Sequence, residues 1–90
     1  MARVSEKQIE ARIIVLNDYM ARHGIALRVN EECCGGAWEF SLNEIKGRDS
    51  LICRYDTRRR AFQALERFFG LLCVTEIRDI AKVRQIFDWC

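Results

Sequence analysis

The sequence predicts an α+β fold: a two-layer sandwich in which a three-stranded antiparallel meander carries helices on one face, in the order α-β-β-β-α-α. Three observations carry this reading. Apolar residues recur at helical spacing up to His23, alternate with polar residues between Ile25 and Asn43, and return to helical spacing after Arg60. A sheet of three strands cannot bury its apolar face alone, so the flanking helices must cover it.

Ser5 followed by Gln8 is the capping-box pattern, in which a hydroxyl and a side-chain amide satisfy backbone groups at a helix start. A helix is predicted over Glu6–His23, with Ile9, Ile13, Leu16 and Met20 as its apolar stripe. Arg22 and His23 suit the negative end of the helix dipole, and Gly24 stands where a left-handed cap is wanted. Ile25, Leu27 and Val29, then Trp38, Phe40 and Leu42, alternate with polar or small residues as in half-buried strands, with Glu31–Gly36 as the turn of a hairpin. After a break at Lys46–Asp49, Leu51–Tyr55 forms a third strand. Asp56 and Thr57 both qualify as N-caps for a second helix over Arg58–Phe69, which Gly70 either ends or bends. Thr75 is expected to cap a last helix with the stripe Ile77, Ile80, Val83 and Phe87, which either completes the helical layer or reaches a partner. The core is expected to claim Trp38, Phe40 and Phe62.

The chain has 90 residues, half of them hydrophobic, with 15 Lys+Arg, 13 Asp+Glu, no Pro and five Cys. This length fits one small domain with a thin core and leaves little room for an elaborate catalytic cleft. The longest uncharged, mostly apolar stretch, Phe68–Thr75, has eight residues, whereas a membrane span needs roughly 20. The charged start of the chain does not resemble an export signal, so a cytoplasmic, reducing environment is expected. An odd number of cysteines excludes complete pairing within one chain. Cys53 and Cys73 lie in apolar runs and are expected in the core. Cys33-Cys34, beside Gly35-Gly36, are adjacent thiols that could oxidise or hold a soft metal. There is no C-x-x-C spacing, however, and His23 is the sole histidine, so no metal and no cofactor is expected. Cys90 reads as an exposed thiol.

Catalysis requires convergent groups of tuned pKa. His23 with a cysteine would be one pair, but a histidine in the last turn of a helix reads as a solvated cap. Glu31-Glu32 point to opposite sides of extended chain. Gly35-Gly36 lacks the flanking pattern of a phosphate-binding loop. No enzyme is expected. The charge distribution says more, because Ile25–Lys46 holds two basic and four acidic residues, whereas Gly47–Arg60 holds five basic and two acidic. Arg58, Arg59 and Arg60 in the first turn of a helix oppose its dipole, an arrangement that suggests a ligand there. Backbone N–H groups and guanidinium forks at that point would suit phosphate or carboxylate. The candidate binding residues are therefore Arg48, Arg54, Arg58, Arg59 and Arg60, with Trp89 as a surface anchor.

The α-β-β-β-α order with a basic start to the second helix resembles double-stranded-RNA-binding domains, over roughly Ile9–Leu72. Leu16-Asn17-Asp18-Tyr19 and Thr57-Arg58-Arg59-Arg60-Ala61 resemble that family's motifs. The chain departs from it in Cys33-Cys34-Gly35-Gly36, where the family has Gly-Pro and His, and in Phe62, Phe68 and Phe69, where it is rich in Ala. Ile9-Glu10-Ala11-Arg12-Ile13, Leu16-Asn17-Asp18-Tyr19-Met20, Gly24 and Thr57-Arg58-Arg59-Arg60-Ala61-Phe62 with Leu65, Phe69 and Gly70 also resemble small phage- and prophage-encoded accessory proteins. That resemblance implies a mobile-element protein that binds and blocks host machinery, as anti-CRISPR inhibitors do. The resulting expectation is a non-catalytic protein-binding module whose partner is a host protein or nucleoprotein complex, with no membrane. The alternative is a domain that binds RNA or DNA backbone through Arg54, Arg58, Arg59 and Arg60. A homodimer built on the last helix or on a sheet edge is compatible with both.

Overall fold

A computed structural model describes residues 4–34 and 37–87, with the side chains of all of these except Glu32, Cys33, Cys34 and Ala37. Trp89, Cys90 and the thiols of Cys33 and Cys34 lie outside the described residues. The elements are α1 (Glu6–Arg22), β1 (Leu27–Cys34), β2 (Ala37–Glu44), β3 (Ser50–Tyr55), α2 (Arg58–Val74) and α3 (Ile80–Ile86), an α+β fold in the order read from the sequence. The strands form one antiparallel sheet ordered β1-β2-β3.

Both halves of the capping box that starts α1 are present. The Ser5 hydroxyl accepts from the Gln8 N–H at 3.2 Å, and the Gln8 side chain accepts from the Ser5 N–H at 2.7 Å. At the other end Gly24 takes φ +68°, a left-handed backbone that a side chain would strain. In the sheet, Val29 faces Leu42, Phe40 faces Cys53 and Trp38 faces Tyr55, so the buried strand residues share one face. That face packs on Ile9, Ile13, Leu16 and Met20 of α1 and on Ala61, Ala64, Leu65, Phe68 and Leu72 of α2. The opposite face carries Arg28, Asn30, Glu39, Ser41, Asn43, Ile52 and Arg54.

Five expectations are corrected. Residues 31–34 are strand rather than turn: Glu31 pairs with Phe40, Glu32 with Glu39, Cys33 with Trp38 and Cys34 with Ala37, extending the hairpin by four residue pairs. Polar composition suggested a loop, but ladder hydrogen bonds to a strand anchored by Trp38 and Phe40 override it. Helix α2 does not stop near Gly70 but runs on to Val74, because burying Leu72 outweighs the weak helix propensity of one glycine. The extension turns Cys73 to solvent, so it is exposed rather than in the core. Thr75 ends α2, and Asp79 is the N-cap of α3, accepting from the Lys82 N–H at 2.9 Å. Phe62 is only half-buried, whereas Trp38 and Phe40 are buried.

Helix α3 belongs to the fold. Ile77, Ile80 and Val83 are essentially inaccessible, and Phe87 packs on Phe68 with ring centroids 5.7 Å apart. Arg84 adds a fork, donating from both terminal nitrogens to Asp49 at 2.9 and 3.2 Å and to the Ser50 carbonyl at 2.9 Å. The apolar stripe of α3 is thus spent on the core.

Candidate functional site

Strand β3 ends at Tyr55, and Asp56-Thr57 turns the chain directly into α2. The Thr57 hydroxyl accepts from the Arg60 N–H at 3.2 Å, which places Arg58, Arg59 and Arg60 in the first turn, all exposed. The guanidinium of Arg58 lies 5.9 Å above the Trp38 ring, and that of Arg60 sits 3.4 Å from the Asp56 carboxylate. Arg54, on the outer face of β3, grips Glu39 across the sheet with two donors to one oxygen, at 3.2 and 2.8 Å. The Glu39 side chain is only 15% exposed, so it holds the guanidinium of Arg54 in place on the outer face of the sheet, although the arginine is largely in solvent.

These arginines gather at the end of the sheet where β1 meets β2. Arg48 does not join them, for it lies in the β2–β3 turn at the opposite end, beyond the six residues of β3, a strand length of about 20 Å. Its neighbour Asp49 is engaged by Arg84. Trp89 falls outside the described residues.

The same end carries an acidic counterpart, of which the sequence showed only the acidic hairpin. Arg12 lies over Phe62 and 3.7 Å from Glu66, while Tyr19 meets Phe69, so α1 and α2 run parallel and start together. Glu6 and Glu10 of α1 therefore stand beside Glu31 of β1. Burial pushes the half-buried Glu31 carboxyl above its ordinary value, and the negative charges of Glu10 and then Glu6 push it further. One end of the molecule thus presents acids along the β1 edge and arginines along the β3 edge. The partners involved are far apart in sequence, 15 residues for Glu39 and Arg54, which is why no local pattern revealed them.

Two further places carry polar chemistry. The Tyr19 ring lies 4.2 Å from that of His23, tilted by 31°, and the Cys73 side chain beside its hydroxyl raises the tyrosine pKa, with burial and then the negative charge of a Cys73 thiolate adding to the effect. An open groove of roughly 270 Å³ runs between α1 and α2, lined by Gln8, Ala11, Arg12, Val15 and Phe62. Among the described residues no group of three or more His, Cys, Asp or Glu is arranged to hold a metal ion, and no helix is long and apolar enough to cross a membrane.

Comparison with known proteins returns no match: no family model, curated protein or solved structure is similar to this chain.

Proposed function

We infer that the chain is a non-catalytic protein-binding module that docks through the end of the fold where the arginines and the acids meet. The juxtaposition of the two charge signs supports this reading most. A nucleic-acid backbone is uniformly negative, and to reach Arg54, Arg58, Arg59 and Arg60 at this end it would approach Glu6, Glu10 and Glu31 as well. A protein surface with the reverse pair of patches is matched by both and held in register by them. The arginines are also prearranged. Arg58 is laid on an indole and Arg54 is anchored by Glu39, which lowers the entropy lost when they engage a partner. In keeping with the phage-protein resemblance, the partner class we propose is a host protein or nucleoprotein complex that the chain blocks.

The test is capture from host lysate by tagged protein, comparing wild type with an Arg58→Ala/Arg59→Ala/Arg60→Ala variant and a Glu6→Lys/Glu10→Lys variant. Loss of the same captured protein in both supports the reading, and retention in both moves the interface elsewhere. The alternative is binding of RNA backbone. In its favour stand the parallel helices on one sheet face and the basic start of α2 beside the hairpin, an arrangement similar to that of double-stranded-RNA-binding domains. Titration with a short RNA duplex at about 50 and 200 mM salt separates the two readings. Tight binding at the lower salt that collapses at the higher would replace the protein-binding proposal.

A further inference from the structure

Helix α1 has a second stripe that the monomer leaves uncovered. Lys7, Ala11, Ile14, Asp18 and Ala21 follow one another at spacings of four, three, four and three, and all five are exposed. This is the spacing of a coiled-coil seam, on the side away from the buried stripe of Ile9, Ile13, Leu16 and Met20. Ile14 is 68% exposed and the adjoining Val15 46% exposed, two large apolar side chains side by side in solvent.

The charges on this stripe identify its occupant. We propose that a second copy of the chain docks on it, with the two α1 helices antiparallel. In that register Lys7 of one copy faces Asp18 of the other, and Ala11 of one faces Ile14 of the other, each layer occurring twice by symmetry. Two ion pairs then flank two layers in which a small residue receives a large one. A parallel arrangement would set Lys7 against Lys7 and Asp18 against Asp18. Asp18 already has Arg22 at 2.9 Å on its own helix, and both side chains are more than half exposed, so the carboxylate can take a second cation. Glu10, beside the stripe, falls opposite Asn17 in this register, so no like charges oppose each other. Ala11 also forms a wall of the open groove shared with Val15 and Phe62, so Ile14 of the second copy has an apolar recess beside its layer. This surface lies along the flank of α1, away from the arginine cluster; it borders the acidic patch at Glu10, and the inference does not rest on the function proposed above.

Sedimentation of the full chain over a concentration series in reducing buffer tests it. The expected result is a reversible dimer, weakened about tenfold or more by Ile14→Glu, which places two carboxylates in apolar layers. Lys7→Asp and Asp18→Lys should each weaken the dimer, since each sets like charges opposite one another twice. An equimolar mixture of these two variants should regain it, because only the mixed dimer restores both opposite-charge pairs. All four substituted or paired positions are exposed, and circular dichroism of each variant confirms that the fold is kept. A chain monomeric throughout the series overturns the proposal, as does a dimer indifferent to Ile14→Glu. A dimer lost in both charge variants and not regained in their mixture overturns the antiparallel register.

Discussion

At the scale of single residues, two polar side chains in the helix–sheet seam act in opposite directions. Asn17 extends its amide to the edge of β1, where its nitrogen donates to the Val29 carbonyl at 3.0 Å and its oxygen accepts from the Val29 N–H at 2.8 Å. It replaces the neighbouring strand that β1 lacks, closing the middle of an edge that would otherwise offer itself for pairing. Asn17→Ala leaves both backbone groups without this partner in a half-buried place, and should lower unfolding stability by about 1–3 kcal/mol in a urea titration. Glu31 works against the fold. Burial and the charges of Glu10 and Glu6 raise its carboxyl above the ordinary 4.5, so the folded chain holds that proton more tightly than the unfolded one. Its contribution is therefore favourable in acid, and is lost as pH rises through the ordinary carboxylate range to the folded value. Glu31→Gln should raise the melting temperature at pH 7, and the gain should vanish as the pH is lowered below about 4. Neither effect was legible in the sequence. Asn17 sat in a readable helix, but its partner lies 12 residues on, in a strand whose register no local signal fixed.

At the scale of elements, the starts were more legible than the ends. Ser5, Thr57 and Gly24 act through contacts within a few residues, and each does what its local pattern announced. The extent of β1 and α2 depended instead on what distant residues bury. Gly70 shows the competition. A glycine after Phe69 reads as a helix end, yet Leu65, Phe68 and Leu72 all face the sheet, and a stop at Gly70 would have left Leu72 out of the core. Gly70 is exposed, its φ is not positive, and a methyl group placed on it would meet nothing within 4 Å. Gly70→Ala should therefore stabilise the chain by about 0.5–1 kcal/mol, because the unfolded state loses freedom and the helix gives up nothing. A destabilised variant in thermal or urea unfolding would mean that α2 breaks at this point. Asp79 shows the same limit from the other side: it is an ordinary N-cap by type, but Thr75 was the earlier candidate, and only the burial of Ile77 in the connection decides between them.

At the scale of the whole molecule, a formal net charge of +2 conceals a polar layout. The count of arginines between Gly47 and Arg60 revealed the basic half, because those residues are consecutive or nearly so in sequence. The acidic half was only partly visible, since Glu6 and Glu10 join Glu31 through the parallel course of α1 and α2, and Arg48 left the cluster because β3 carries it to the far end. Stability and binding make separable demands on the arginines that remain. In the first turn of α2 each opposes the helix dipole by about 0.3–1 kcal/mol. Against this stand the contact of Arg58 with Trp38, about 0.5–1 kcal/mol for an exposed cation over a ring, and the Arg60–Asp56 pair, about 0.3–0.5 kcal/mol. For Arg58 and Arg60 the opposing contributions are of similar size, so the Arg58→Ala/Arg60→Ala variant should unfold within about 1 kcal/mol of wild type and remain cooperative. If the same variant has lost its partner, the arginines are retained for binding, since the fold gains almost nothing from them. A loss of stability well beyond that range would instead make the cluster part of the scaffold, with Arg58 needed to hold Trp38 against the start of α2.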